Sequence, residues 1–171
     1  TDAQPITLGS GPGLSLSAAD LATLVGALQI GATSHAGGIL VNAPIARATS
    51  ASTTLYTNGG VVFGNDFNVS GGGSLSVIGG AVNVANGSVQ ASSIFLSGSS
   101  ITVQPDALAT GNASVVAASN LSINAGTLTL RGSDTTMGYG AKLQAANSIV
   151  IGATSNMIAG DTMPGASDST H

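Results

Sequence analysis

The side chains able to do chemistry are few. Seven carboxylates, three Lys or Arg and two His serve a chain of 171 residues that has no Cys, and every carboxylate is an Asp. General acid–base work on a glycosidic bond needs two carboxylates facing one cleft. Asp66, Asp106 and Asp134 are the interior candidates. They occupy different turns at unequal spacings, so each reads as a solvated turn residue. Without Cys there is no thiolate metal site, and His35 and terminal His171 are the only imidazoles. No Gly-Gly-x-Gly-x-Asp repeat is present to hold calcium. Gly9-Ser10-Gly11-Pro12-Gly13 lacks the Lys that a phosphate loop supplies next, and no Gly-x-Ser-x-Gly elbow marks a nucleophilic serine. His35, in a Gly-rich stretch, is expected as an exposed loop residue. The inventory predicts no catalytic, cofactor-binding or metal-binding residue, and hence a protein that is not an enzyme.

One stretch concentrates what charge and aromaticity there is. Arg131, Asp134, Tyr139 and Lys142 fall close together in a chain that is only 6% charged and 3% aromatic. Tyr supplies a large contact at small entropic cost and Arg supplies directional donors. These four residues are the candidate binding loop, with a host-cell or matrix glycan or protein as the expected partner. The plainer reading of the same loop is a locally paired, solvated insertion. Tyr56 and Phe63 read as packing residues rather than ligands.

The elements that must carry this loop are short and repetitive. Apolar-x-apolar triplets recur: Phe67-Asn68-Val69, Leu75-Ser76-Val77, Val82-Asn83-Val84, Val89-Gln90-Ala91, Ile94-Phe95-Leu96, Ile101-Thr102-Val103, Ala113-Ser114-Val115, Leu121-Ser122-Ile123 and Leu128-Thr129-Leu130. Each is a short strand with one face inward, and Gly, Asn and Ser mark the turns between them. Triplets start about seven residues apart and every third one returns to register after about 20 residues, the mark of a solenoid. The expected columns are Leu75–Ile94–Ala113, Val82–Ile101–Leu121 and Val89–Ala107–Leu128. Three strands per coil predict an all-β parallel β-helix, right-handed by the usual crossover rule.

A single domain is expected over 1–171, with regular coils at about 53–151, an atypical end at 1–50 and a frayed tail at 160–171. Ser17-Ala18-Ala19-Asp20 reads as a capping signal. Leu21, Leu24, Val25 and Leu28 follow at helical spacing, which predicts one short helix near residues 18–28. Arg131–Lys142 is an insertion before Leu143-Gln144-Ala145, and solenoids place binding residues in such insertions.

Composition removes other classes. Three basic residues give no electrostatic footprint for nucleic acid or anionic lipid. A mean hydropathy of +0.42 with 43% hydrophobic residues argues against disorder. No apolar run is long enough to span a bilayer, so no membrane insertion is expected. The start, Thr1 to Leu8, lacks the pattern of a secretory signal.

Leu14-Ser-Leu-Ser-Ala-Ala-Asp-Leu-Ala-Thr-Leu24, Leu28-Gln-Ile-Gly31 and Gly38-Ile-Leu-Val-Asn-Ala-Pro-Ile45 precede Ala-, Asn- and Gly-rich coils. This order resembles the filamentous-haemagglutinin-type exoproteins of Gram-negative bacteria, over about residues 6 to 151. The resemblance implies a right-handed β-helix in a secreted or cell-surface adhesin exported by two-partner secretion, acting as a stiff stalk or fibre. It carries over no catalytic residues. The Asn-Pro-Asn segment of that family's secretion domain is absent, which implies an internal segment; end-to-end contact with other copies is a further expectation. Two rivals share the architecture. A β-helical carbohydrate-active enzyme or phage tailspike fragment needs two carboxylates in one cleft. An ice-binding solenoid needs a regular Thr ladder, and the expected columns place Thr102 and Thr129 apart.

Overall fold

The computed structural model describes residues 2–106, 111–132 and 139–160, the last eight as backbone. In chain order the elements are β1 (Ile6–Leu8), β2 (Leu14–Leu16), α1 (Ala18–Thr23), β3 (Leu28–Gly31), β4 (Ile39–Val41), β5 (Ile45–Ala48), β6 (Thr53–Tyr56), β7 (Gly60–Phe63) and β8 (Phe67–Ser70). They continue with β9 (Ser74–Ile78), β10 (Ala81–Val84), β11 (Ser88–Ala91), β12 (Ser93–Val103), β13 (Ala113–Ala117), β14 (Asn120–Arg131), β15 (Ala141–Ala145) and β16 (Ser148–Gly160).

The chain is an all-β parallel solenoid of about five turns with one short helix. Each coil lays one strand segment on each of three faces. The first face stacks β3, β6, β9 and the leading halves of β12, β14 and β16. The second stacks β1, β4, β7, β10 and the trailing halves of the same three strands, with β2 added outside β1. The third stacks β5, β8, β11, β13 and β15. All of these pairings are parallel, so the backbone hydrogen bonds run between coils and each coil is templated by its neighbour.

Every triplet read from the sequence is a strand segment with its flanking residues inward. Leu75, Val77, Val82, Val84, Ile94, Leu96, Ile101, Val103, Leu121 and Ile123 are all at 2% exposure or less. Their stacking buries aliphatic surface at roughly 25 cal/mol per Å². Phe63 and Phe67 are both in this core and meet edge to face, centroids 5.7 Å apart. The outward residues Asn68, Ser76, Asn83, Thr102, Ser122 and Thr129 are half-buried by their neighbours on the same face.

The columns need correction after β11 and β12. Leu75 and Ile94 are followed by Leu121, not Ala113. Val82 and Ile101 are followed by Leu128, not Leu121. Val89 is followed by Val115, and Ala107 lies outside the described residues. The cause is a change in coil length: Val82 to Ile101 spans 19 residues, whereas Ile101 to Leu128 spans 27. The average is roughly 25 residues per coil rather than 20.

The helix is also shorter than the spacing predicted. Ser17 caps it: its Oγ accepts from the Asp20 amide at 3.1 Å and donates to Asp20 Oδ2 at 2.6 Å. Helical backbone stops at Thr23, and Leu24 is already extended. Leu21 alone enters the core, at 1% exposure, while Leu24 and Val25 stand at 43% and 72%. The helix packs on β5 and occupies the place a third-face strand would take in the first coil. Gly31 ends β3 at φ 82°, and a Cβ there would sit 2.1 Å from the Tyr56 carbonyl oxygen, so only glycine fits this corner.

Arg47 is the inward residue of β5 opposite this cap, with no exposed surface. Its Nη2 donates to the carbonyls of Leu24 at 2.7 Å and Gly26 at 2.9 Å, and its Nη1 donates to Thr53 Oγ1. Thr49 Oγ1 donates to the Val25 carbonyl. The turn after the helix is thus held through three consecutive carbonyls by two buried side chains. Burial lowers the Arg47 pKa from its ordinary value.

Candidate functional site

The corner between the second and third faces positions the predicted binding loop. Arg131 is the last residue of β14 and Lys142 is an exposed residue of β15, in register with Ser114. Tyr139 is half-buried in the connection between the two strands. The structure therefore places Arg131 and Lys142 in strands on two different faces, flanking a connection of residues 132–140. Asp134 lies outside the described residues.

The sequence shows the second enlargement of this corner, at Arg131–Lys142, but not the one before it. In earlier coils it takes three residues: Asn42-Ala43-Pro44, Gly64-Asn65-Asp66 and Ala85-Asn86-Gly87. Residues 104–112 then make the same connection between β12 and β13, directly before the coil that carries 132–140. The two long connections touch: Gly140 N donates to Asn112 Oδ1 at 2.8 Å, and Ala113 N donates to the Gly140 carbonyl at 3.2 Å. The signal is Pro105-Asp106 and Gly111-Asn112, two sets of turn residues bracketing the segment in which the expected columns place Ala107.

Polar side chains stitch the corner from coil to coil. Asn65 Nδ2 donates to the Asn42 carbonyl at 3.1 Å. Asp66 Oδ1 accepts from the Ser88 amide at 2.7 Å, and Asp106 Oδ2 accepts from Asn86 Nδ2 at 2.6 Å. Both carboxylates therefore bind the 85–87 turn and its flank, one from each side. Among the described residues no group of three or more His, Cys, Asp or Glu could hold a metal ion.

His35 is buried, at 5% exposure, rather than exposed. Its loop is clamped on both sides, which accounts for the difference. The His35 carbonyl accepts from Asn58 N at 2.7 Å and Thr57 Oγ1 at 3.0 Å, and Ala36 N donates to the Asp2 carbonyl at 2.9 Å. Its Nε2 has no hydrogen-bond partner.

The outer faces differ in character. On the second face Thr102 and Thr129 are direct register partners, contrary to the expected columns. This ladder is two rungs long: Asn83 precedes it, and Ile158 is the next partner. On the third face a shallow groove of about 270 Å³ runs past Asn68, Gln90 and Val116 beside the Gly71-Gly72 turn. On the first face the outward rows are Gln29, Thr54, Ser76, Phe95, Ser122, Val150 and, two residues on, Gly31, Tyr56, Ile78, Ser97, Asn124, Gly152.

No family model, curated protein or solved structure matches this chain. Fold and site together define it as a parallel β-solenoid with a helix on one side of its first coil and a corner enlarged in two successive coils. No helix among the described residues is long and apolar enough to cross a membrane.

Proposed function

We propose that this chain is a structural and adhesive segment of a bacterial secreted or cell-surface protein, of the kind the filamentous-haemagglutinin-like residues imply. It acts without catalysis: a stiff stack of coils holds a binding surface away from its base. The observation that carries this reading is the addition of chain at the same corner in two successive coils, 104–112 and 132–140. The inward columns run on beneath it without interruption, through Ile101 and Leu128 on one side and Val89 and Val115 on the other. Chain added at a corner leaves the template intact and is free to vary, which suits display.

The test replaces residues 132–140 with Gly-Asn-Asp, the three-residue corner that joins β7 to β8. The variant should keep its unfolding midpoint within a few degrees, because changing the length of a surface connection alters closure entropy by only about 1 kcal/mol. Beads coated with the parent chain should attach to cultured epithelial cells, and beads coated with the variant should not. Equal attachment by both would place the binding surface elsewhere on the coils. No attachment by the parent would remove binding and leave a spacer.

A further inference from the structure

The chain has two Tyr and three Phe. Phe63 and Phe67 are in the core, and Tyr139 is at the enlarged corner. Tyr56 and Phe95 both lie on the outer side of the first face, where they do nothing for the core. Phe95 is 36% exposed, between Ser76 and Ser122 in its row. The other exposed large apolar residues are Leu14, Leu24, Val25, Ile149, Val150 and Ile151, all in the first or last coil. Among the described residues Phe95 is the one on the flank.

Register fixes how these residues are arranged. Ile78 is the partner of both Tyr56 and Ser97, and Phe95 is two residues before Ser97 on the same strand. Tyr56, Ile78 and Phe95 therefore form an oblique strip across three coils. Two strand spacings across and two residues along put the aromatic Cα atoms about 12 Å apart. Hydroxyls and an amide line the strip: Thr54, Ser76, Ser97, Ser122 and Asn124. Among the described residues no carboxylate, Lys or Arg is on this face.

The chemistry selects the ligand. A charged ligand would find no counter-charge here. A protein partner needs about 800 Å² on each side with desolvated anchors such as Trp or Arg, and one apolar residue per coil does not form such a patch. A sugar chain fits better. Its rings present apolar C–H faces to aromatic side chains and equatorial hydroxyls to Ser, Thr and Asn. Two platforms this far apart, with an aliphatic residue between, suit alternate rings of an extended chain on an open face. We propose that the strip Tyr56–Ile78–Phe95 with its hydroxyl margins binds a neutral, extended oligosaccharide. The strip lies on the face opposite the enlarged corner, so it stands independently of the display role proposed for that corner.

Affinity electrophoresis of the folded chain in gels containing a soluble cellulose derivative, laminarin, xylan or galactomannan tests this. At least one polysaccharide should retard the chain, equally at low and high salt. Phe95→Ser and Tyr56→Ser, checked for an unchanged thermal midpoint, should each weaken that retardation at least about tenfold, as truncating an aromatic anchor does. The chain with the 132–140 replacement should be retarded like the parent. No retardation by any of the four polysaccharides, retardation that disappears in salt, or retardation that survives Phe95→Ser would overturn the proposal. Loss of retardation in the corner replacement alone would assign glycan binding to the corner instead.

Discussion

Leu121→Asp should cost about 4 kcal/mol or more, whereas Ser122→Asp should cost less than about 1 kcal/mol. Adjacent residues differ this much because strand alternation sends one in and the other out. Leu121 has no exposed surface and stacks between Ile94 and Ile149 in register. A carboxylate there loses its water, finds no donor in an aliphatic column, and leaves part of the Leu volume unfilled. Ser122 is half-buried on the outer side between Phe95 and Val150, where an Asp can still reach solvent. Urea unfolding of both variants checks this; similar losses would contradict the inward assignment. Because each coil templates the next, the Leu121 variant should also lower cooperativity, with the two coils around β14 opening first.

Arg47→Ala should destabilise by about 3 kcal/mol, near the range for removing hydrogen bonds made by a charged buried group. The guanidinium satisfies the carbonyls of Leu24 and Gly26 and holds Thr53. Without it these groups are left under the cap with no donor, and the α1 turn loses its main tie to β5. Arg47→Lys should recover little, since one ammonium cannot reproduce the planar fork that spans three acceptors. The loss should be local: amide exchange in residues 18–31 should quicken by far more than exchange in β10, β12 or β14. Uniform quickening along the coils would show that Arg47 supports the whole stack rather than its first turn.

Strand identity was legible because alternation survives in every triplet, from Phe67-Asn68-Val69 to Leu128-Thr129-Leu130. Register was legible only while coils stayed short. The 19-residue steps from Leu75 to Ile94 and Val82 to Ile101 were read as they stand. The next step failed because small apolar residues such as Ala107 resemble weak strand positions, and nothing local separates them from a long corner. That one misreading also separated Thr102 from Thr129. The helix was overextended because Leu24 and Val25 keep helical spacing, while the tertiary tie from Arg47 and Thr49 draws their carbonyls into another geometry. No local pattern marks Arg47 as a tie to the helix turn. A lone Arg in Ile45-Ala46-Arg47-Ala48 occupies an inward phase of its strand, and that phase was the available signal. At the candidate corner, Arg131 and Lys142 were picked out by composition, but their strand positions depend on where β14 ends and β15 begins.

Paired cysteines test most directly the parallel stacking of coils in a register that lengthens after β12. The chain has no native Cys, and adjacent strands are close enough for a disulfide between outward register partners. Thr102→Cys with Thr129→Cys joins residues that the structure places side by side. Thr102→Cys with Ser122→Cys joins residues that a constant 20-residue coil would place side by side. Mild oxidation followed by mass spectrometry should find an intramolecular disulfide in the first variant and free thiols in the second. A disulfide in the second variant, or in neither, would contradict the account.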